Sequence, residues 1–356
     1  MSDDPVLQHY RTTDRADVFD FLRAMYPADI SERVIAQWAW KYEANPFNPP
    51  DGPIVDIIRV DGKLIALLAG FRLNMWMGGI ECLAECSGEW VVHPDYRRQK
   101  IWRRVGAMQP NEASIFFSWS RLPARIAVGL KWTIEPMTPL LKILHAGPLI
   151  EHFTHSGLLA SIGAGASAAA RVVGTPLRRL RGRRDGARRR LEVFDDSVDA
   201  LWERARRTRL GMLVRDHRYL NWRYCQRPDA TYTLFGIEGA SQLAGFLVAR
   251  TGTHEGMPWG YLVDFLADEN SNDVLSSLVD DAIEDFRRIG AAAVSCYATD
   301  PVTRGLLFRH GFFPVRQSEP IRLFRYIRGS RTDLAKFATL RQWYMTMGDG
   351  DLEMAF

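Results

Sequence analysis

Two runs of apolar and β-branched residues, Ile54–Val60 and Lys63–Phe71, flank Asp61-Gly62, and this pairing predicts a β-hairpin closed by a tight turn. Met77-Gly78-Gly79-Ile80 then turns the chain into a further strand that carries Trp90, Val91 and Val92. Pro94 has no N–H to give to a sheet ladder and biases His93 towards an extended backbone, so that strand is expected to stop there. Ile101, Val105 and Met108 recur at helical spacing and predict a helix directly after the turn. Upstream, Tyr10–Asp17 predicts the end of a short strand and a helix start, with Asp14 as N-cap and Phe19, Leu22 and Met25 as the buried stripe. Ser114–Trp119 predicts the next strand.

The same order of patterns recurs later in the chain. Trp222-Arg223-Tyr224 with Pro228 answers Trp40-Lys41-Tyr42 with Pro46, an aromatic segment that reads either as core or as the wall of an acceptor pocket. Tyr232–Ile237, Glu238-Gly239 and Gln242–Ala249 repeat strand, turn and strand, and Ala244-Gly245-Phe246 echoes Ala69-Gly70-Phe71. Trp259–Leu266 matches the strand ending at His93, Val274–Ile289 the long helix, Ala292–Tyr297 the next strand, and His310-Gly311-Phe312 a closing element. Two copies of one unit are expected.

The 356 residues provide length for two cores. The net charge of +4 is small, and the basic excess is concentrated in one place. Gly157–Gly174 is small and apolar, too short uncharged to span a membrane, and predicts a connecting helix. Arg171, Arg178, Arg179, Arg181, Arg183, Arg184, Arg188, Arg189 and Arg190 follow. Such a run suits a solvated, mobile linker, or contact with an anionic membrane surface, a nucleic acid or an acidic polymer. Cys82, Cys86, Cys225 and Cys296 form no CxxC pair, and Met-Ser-Asp-Asp-Pro lacks the order of a secretory signal, so a cytoplasmic protein is expected. No Walker, dinucleotide or nucleophile-elbow pattern occurs. His152 and His155 beside Glu151 read as a solvated helix face, Asp349, Asp351 and Glu353 alternate in the manner of a weak calcium loop whose remaining ligands are missing, and no metal is expected.

Glu89–Met108 is the stretch with the most chemistry. Its Arg-rich turn opening into a helix offers backbone N–H groups, a positive dipole end and guanidinium groups to an anion. Val92-His93-Pro94-Asp95-Tyr96-Arg97 and Ile101 resemble the signature of the GNAT family of acyl-CoA transferases, a strand ending in V-x-P followed by Y-R-G-x-G-I-G. Lys100 and Trp102 stand where the family has glycines, Lys131 replaces another in Gly129-Leu130-Lys131-Trp132, and Ala127 falls near the family's general-acid tyrosine. The tail from Trp343 to Glu353 is similar to the ends of tandem GNAT-like proteins of bacterial polysaccharide biosynthesis.

The resemblance implies an α+β fold of two GNAT-like domains, each a mixed, mostly antiparallel sheet flanked by helices. The expected division is an acyl-CoA-binding domain at 1–150, an apolar helix and Arg-rich linker at 151–190, a degenerate domain at 191–330 and a tail at 331–356. It further implies that Val91 and Val92 bond the pantetheine through their backbone, and that Arg97, Arg98, Gln99, Lys100, Ile101 and Trp102 surround the pyrophosphate. A strand carboxylate would take the acceptor's proton. Glu85 and Glu89 lie four residues apart, on one face of a regular strand, and are candidates for that role or for pairing with an Arg of the turn. In the second copy Asp268, Glu269 and Asp273 would repel a pyrophosphate. The implied activity is that of a transferase of the N-acetyltransferase type, using acetyl-CoA or another acyl-CoA on an amine or hydroxyl acceptor such as a small molecule or saccharide amine. Specific nucleic-acid binding is not expected, and the Arg-rich linker is a site for peripheral membrane contact. The alternative is a catalytically degenerate binding or scaffold protein whose Arg-rich segment docks an acidic partner.

Overall fold

The computed structural model describes residues 5–99, 115–120, 132–147, 187–239, 242–268, 271–317, 321–327 and 342–350, with the single positions 334 and 339. The strands are β1 (Val6–His9), β2 (Val55–Val60), β3 (Lys63–Met77), β4 (Ile80–Val92), β5 (Ile115–Ser120), β6 (Thr133–Pro136), β7 (Leu140–Ile143) and β8 (Arg188–Leu191). They continue with β9 (Gly211–Leu213), β10 (Thr233–Glu238), β11 (Leu243–His254), β12 (Met257–Ala267), β13 (Ala293–Cys296), β14 (Phe313–Pro314), β15 (Arg322–Ile327) and β16 (Trp343–Tyr344). The principal helices are α1 (Arg15–Met25), α2 (Ala28–Trp38), α3 (Asp196–Ala205), α4 (Asn272–Arg288) and α5 (Pro301–Arg309). Met1–Pro136, Arg218–Ala230 and Ile321–Ala338 form one compact unit, and Met137–His217, Thr231–Pro320 and Thr339–Phe356 form the other.

The sheet of the first unit runs β1-β2-β3-β4-β5-β15-β6. Its β4–β5 pair is parallel and the remaining pairs along that path are antiparallel. The β2–β3 hairpin closes at Asp61 (φ 49°) and Gly62 (φ 74°), the left-handed pair that a two-residue turn requires. Helix α1 buries Val18, Phe21 and Leu22, so its apolar stripe lies one position off the expected Phe19–Leu22–Met25 line. Phe19 packs edge-on against Trp38, ring centres 6.0 Å apart. Asp14 precedes α1 as expected, but its carboxylate accepts from the Arg11 N–H at 2.9 Å and not from the helix.

Both W-x-Y segments are π-helical turns. Ala44 N–H donates to the Ala39 carbonyl, and Gln226 N–H to the Asn221 carbonyl, each five residues back. Within the first unit the indoles of Trp40 and Trp222 stack at 5.0 Å, inclined by 22°. Trp40 Nε1 donates to the Trp222 carbonyl at 2.7 Å, and Trp222 Nε1 to the Trp40 carbonyl at 3.1 Å. A buried indole needs an acceptor, and here each supplies the other's.

The sheet of the second unit runs β14-β7-β13-β12-β11-β10-β8. The two sheets exchange strands along the chain, β7 pairing with β13 and β14 while β15 lies between β5 and β6. Helix α4 covers this sheet with Leu275, Leu278, Val279, Ala282, Ile283 and Phe286. Arg188, Arg189 and Arg190, expected in a mobile linker, instead form the edge strand β8 against β10. Their guanidinium groups pair with Asp281, Glu238 and Asp285, respectively, which offsets the charge that made the segment read as a linker. The remaining linker arginines and Gly157–Gly174 lie outside the described residues. The Ala-Gly-Phe echo is not a structural equivalence: Gly70 stands opposite Ser87, whereas Gly245 stands opposite Ala267 near the far end of β12.

Trp222→Ala removes the stacked partner and the acceptor geometry of Trp40 together. A loss of about 3–5 kcal/mol is expected from chemical denaturation, the range for large aromatic truncations in cores.

Candidate functional site

In β4 one extra residue interrupts the ladder. Leu68 pairs with Trp90 and Gly70 with Ser87, so Gly88 and Glu89 together oppose Ala69. This bulge reverses the alternation beyond it. Glu85 stands opposite Arg72, on the face that carries Leu68 and Trp90, while Glu89 points to the other face. The expectation that four-residue spacing puts both carboxylates on one face is therefore corrected: it holds only for an uninterrupted strand.

Just before the bulge the parallel pair opens. Among the described residues, β4 and β5 are joined only through Ala84–Cys86 and Ile115–Phe117, although β4 runs on to Val92 and β5 to Ser120. Among the described residues no strand pairs with Ser87–Val92 on that side. Glu85 lies where the pair is still closed, opposite Phe116, and is buried beneath Gly70, where an added Cβ would come within 2.6 Å of its Oε1. Glu89 is half-buried at the opening. Tyr26, just past α1, donates from Oη to Glu89 Oε2 at 2.8 Å, and the Glu89 N–H donates to Tyr42 Oη at 3.3 Å. Gly88 makes room for that phenol, since a Cβ there would lie 2.2 Å from Tyr42 Oη. Burial, then the charge and hydrogen bond of Glu89, push the Tyr26 pKa far above its ordinary value. Tyr42 belongs to the aromatic segment read as core or as the wall of an acceptor pocket, whereas Tyr26 was not singled out, because it sits in a loop without a motif.

The strand ends as expected. Val91 is buried opposite Leu67, Val92 packs with Trp90 and Tyr96 on the cluster of Ile58, Val60, Ile65, Ala66 and Leu68, and Trp90 meets Trp132 edge-on at 6.3 Å. Pro94–Gln99 forms a 3-10 turn. Arg97 is exposed, and its Nε donates to the Val92 carbonyl at 3.0 Å, holding the guanidinium against the strand end. Gln99 is exposed; the Arg98 side chain and all of Lys100, Ile101 and Trp102 lie outside the described residues, as do Ala127 and Lys131.

The second unit has the same bulge with different neighbours. Ala249 pairs with Leu262 and Val248 with Asp264, so Val263 is the extra residue and Asp264 holds the place that Glu89 holds in β4. Asp264 is fully buried, and Arg215 Nε donates to it at 3.1 Å while Nη2 donates to both oxygens of Asp349 at 2.8 Å. β12 and β13 also separate, their last pair being Leu262 and Cys296. Residues 343–349 fill that opening: Tyr344 Oη donates to the Phe265 carbonyl at 2.7 Å, Thr346 Oγ1 to Asp264 at 3.0 Å, and Thr299 N–H to the Met345 carbonyl at 3.1 Å. Asp349, one of the alternating carboxylates of the tail, is thus buried and held by Arg215. Asp268, expected to repel a phosphate, is held by Arg204 at 2.8 and 3.2 Å.

Two further clusters carry ionisable groups. Ser276 Oγ lies 2.8 Å from His310 Nε2, and His310 Nδ1 lies 3.3 Å from Asp280, an order of groups that the sequence did not disclose. The serine is inside α4, whose amides are committed to the helix, and the imidazole is only 5% exposed, so no oxyanion donors accompany it. Asp196, Asp199 and His217 offer ligand atoms within 4.8 Å of one another. The His217 Nδ1 is already 2.6 Å from Asp199, whose hydrogen bond raises the imidazole's pKa.

No protein-family model matches the chain, and no curated protein does. Solved structures do. Saccharomyces cerevisiae N-myristoyltransferase with bound myristoyl-CoA aligns at TM-score 0.53 and 12% identity over 90% of this chain and 82% of that one. The GCN5-related N-acetyltransferase from Anabaena variabilis ATCC 29413 aligns at 0.56 and 12% over 91% and 73%. That from Kribbella flavida aligns at 0.55 and 15% over 91% and 71%. The chain therefore has the fold expected from the resemblance, two GNAT-like sheets flanked by helices, and at these identities the likeness is one of fold.

Burial and the Asp264 charge raise the Asp349 pKa from 3.8 to about 6, against the opposing pull of Arg215. The folded protein then binds this proton more tightly than the unfolded chain, so the contribution to stability grows as pH falls through about 6 and levels off below 3.8. Between pH 7 and 5 the urea midpoint of the wild type should rise relative to that of Asp349→Asn; parallel profiles would contradict this.

Proposed function

We propose that the chain is an acyl-CoA-dependent transferase of the acetyltransferase type, acting on an amine or hydroxyl acceptor at the first unit's sheet. One juxtaposition carries this reading: a length of β4 without a ladder partner on the β5 side among the described residues, a half-buried carboxylate at its bulge, and an arginine-bearing turn at its end. The open edge, with Val91 and Val92, would receive the pantetheine as an added strand. Arg97, Arg98, Gln99 and Lys100 would meet the diphosphate, with Ile101 and Trp102 leading away from it. Glu89 would take the acceptor's proton, directly or through water, as nitrogen or oxygen attacks the thioester carbonyl and the thiolate leaves. Glu85, on the opposite face where β4 and β5 are still joined, is the weaker candidate. The second unit's opening is occupied by residues 343–349 and its bulge carboxylate is bound to Arg215, which supports assigning the acyl-CoA to the first unit.

Acetyl-CoA should raise the melting temperature of the protein. Arg97→Ala should weaken acetyl-CoA binding about tenfold or more in calorimetric titration, as expected for a charge-assisted hydrogen bond worth about 1.5–3 kcal/mol, while Asp273→Ala leaves it unchanged. Glu89→Gln should retain binding and lose about 100-fold or more in transfer. Equal losses in the Arg97 and Asp273 variants, or no binding at millimolar acetyl-CoA or longer acyl-CoA, would overturn the reading.

A further inference from the structure

Glu89 is gripped from two sides by tyrosines of different elements. Tyr26 Oη donates to its Oε2 at 2.8 Å, and its own N–H is taken by Tyr42 at 3.3 Å, which fixes the backbone at the bulge. Lys41, in the same π-helical turn as Tyr42, lies with Nζ 5.2 Å from the Phe71 ring centre, and its charge is felt at Tyr26. Glu43, next in that turn, is engaged by Arg15 and Tyr10. Among the described residues, two phenols hydrogen-bond to Glu89, and the Lys41 ammonium acts on one of them.

We propose that Tyr26 is a positioning residue for the acyl transfer: its phenol fixes the Glu89 carboxylate through Oε2 and leaves Oε1 to receive the acceptor's proton. The proposal rests on the transferase reading above. It differs from assigning Tyr26 as the general acid that is missing near Ala127. Burial and the neighbouring carboxylate make this phenol a poorer acid than a free tyrosine, so it keeps its proton and acts through the hydrogen bond. Tyr26 is half-buried and is followed by Pro27, whose fixed φ starts the turn into α2, so the phenol is carried on a short, constrained connection.

The test is the titration of Glu89 in protein carrying carbon-13 at the glutamate carboxyls, with Glu89→Gln assigning the resonance. Tyr26→Phe should raise the midpoint by about 1 pH unit, the equivalent of one lost hydrogen bond to the charged form. Incorporation of 2,3-difluorotyrosine at position 26, a stronger donor of the same shape, should lower it, and this variant decides the matter if the phenylalanine protein fails to fold. Thiol release from acetyl-CoA should show an acid limb that moves with each midpoint. An unmoved midpoint would overturn the proposal, as would a moved midpoint with an unmoved limb. Failure of the transferase reading has a separate signature, the absence of acetyl-CoA binding to the wild type, which would overturn the catalytic role while the titration still reports on the contact.

Discussion

An extra residue in the middle of a long strand must go somewhere, and in β4 it is absorbed by Gly88 and Glu89 opposite Ala69. Much of the first unit's site follows from that insertion. Glu89 is turned to the face opposite Glu85, the described pairing with β5 ends at Cys86, and the gap beside the glycine admits the Tyr42 phenol. A side chain at position 88 would meet that phenol and the Ala69 carbonyl, so the bulge, the tyrosine and the opening stand or fall together.

The same insertion in β12 leads elsewhere because its surroundings differ in charge. Asp264 is taken out of water and lies beside a second buried carboxylate, Asp349, with Arg215 between them. Such a group is costly to leave unpaired. The arginine and the carboxylates together hold Thr346 and Asp349 against β12, and the tail is thereby built into the unit's core. Glu89 has neutral phenols as its hydrogen-bonding partners and remains at an open edge. One backbone device thus supports two outcomes, a half-buried carboxylate held by phenols and a buried ion-pair lock, and the difference lies in which side chains reach the bulge.

Local features of the chain were legible in the sequence. The Asp61-Gly62 hairpin, the end of β4 before Pro94, helix α4 and the paired Trp40 and Trp222 turns all rest on periodicity or on residues with few backbone options. Features that depend on distant partners were not. Nothing in Leu140–Ile143 or Arg322–Ile327 says which sheet each joins, since any apolar strand fits either edge. The bulge leaves the apolar pattern of Trp90, Val91 and Val92 intact, so it passes unseen while reversing the face of Glu89. Arg188–Arg190 looked like solvated charge because Asp281 and Asp285, which pair with two of them, lie far along the chain on α4. Tyr26 was invisible for the related reason that a loop tyrosine acquires meaning only from what it touches.

The central claim is that the open edge of β4 receives the acyl-CoA arm and that the corresponding edge of β12 does not. Amide hydrogen exchange read by mass spectrometry with and without saturating acetyl-CoA tests it most directly. Slower exchange is expected in peptides covering Ser87–Gln99, with no change across Leu262–Ala267 or Trp343–Gly350. Protection confined to the β12 peptides, or none anywhere, would contradict the account.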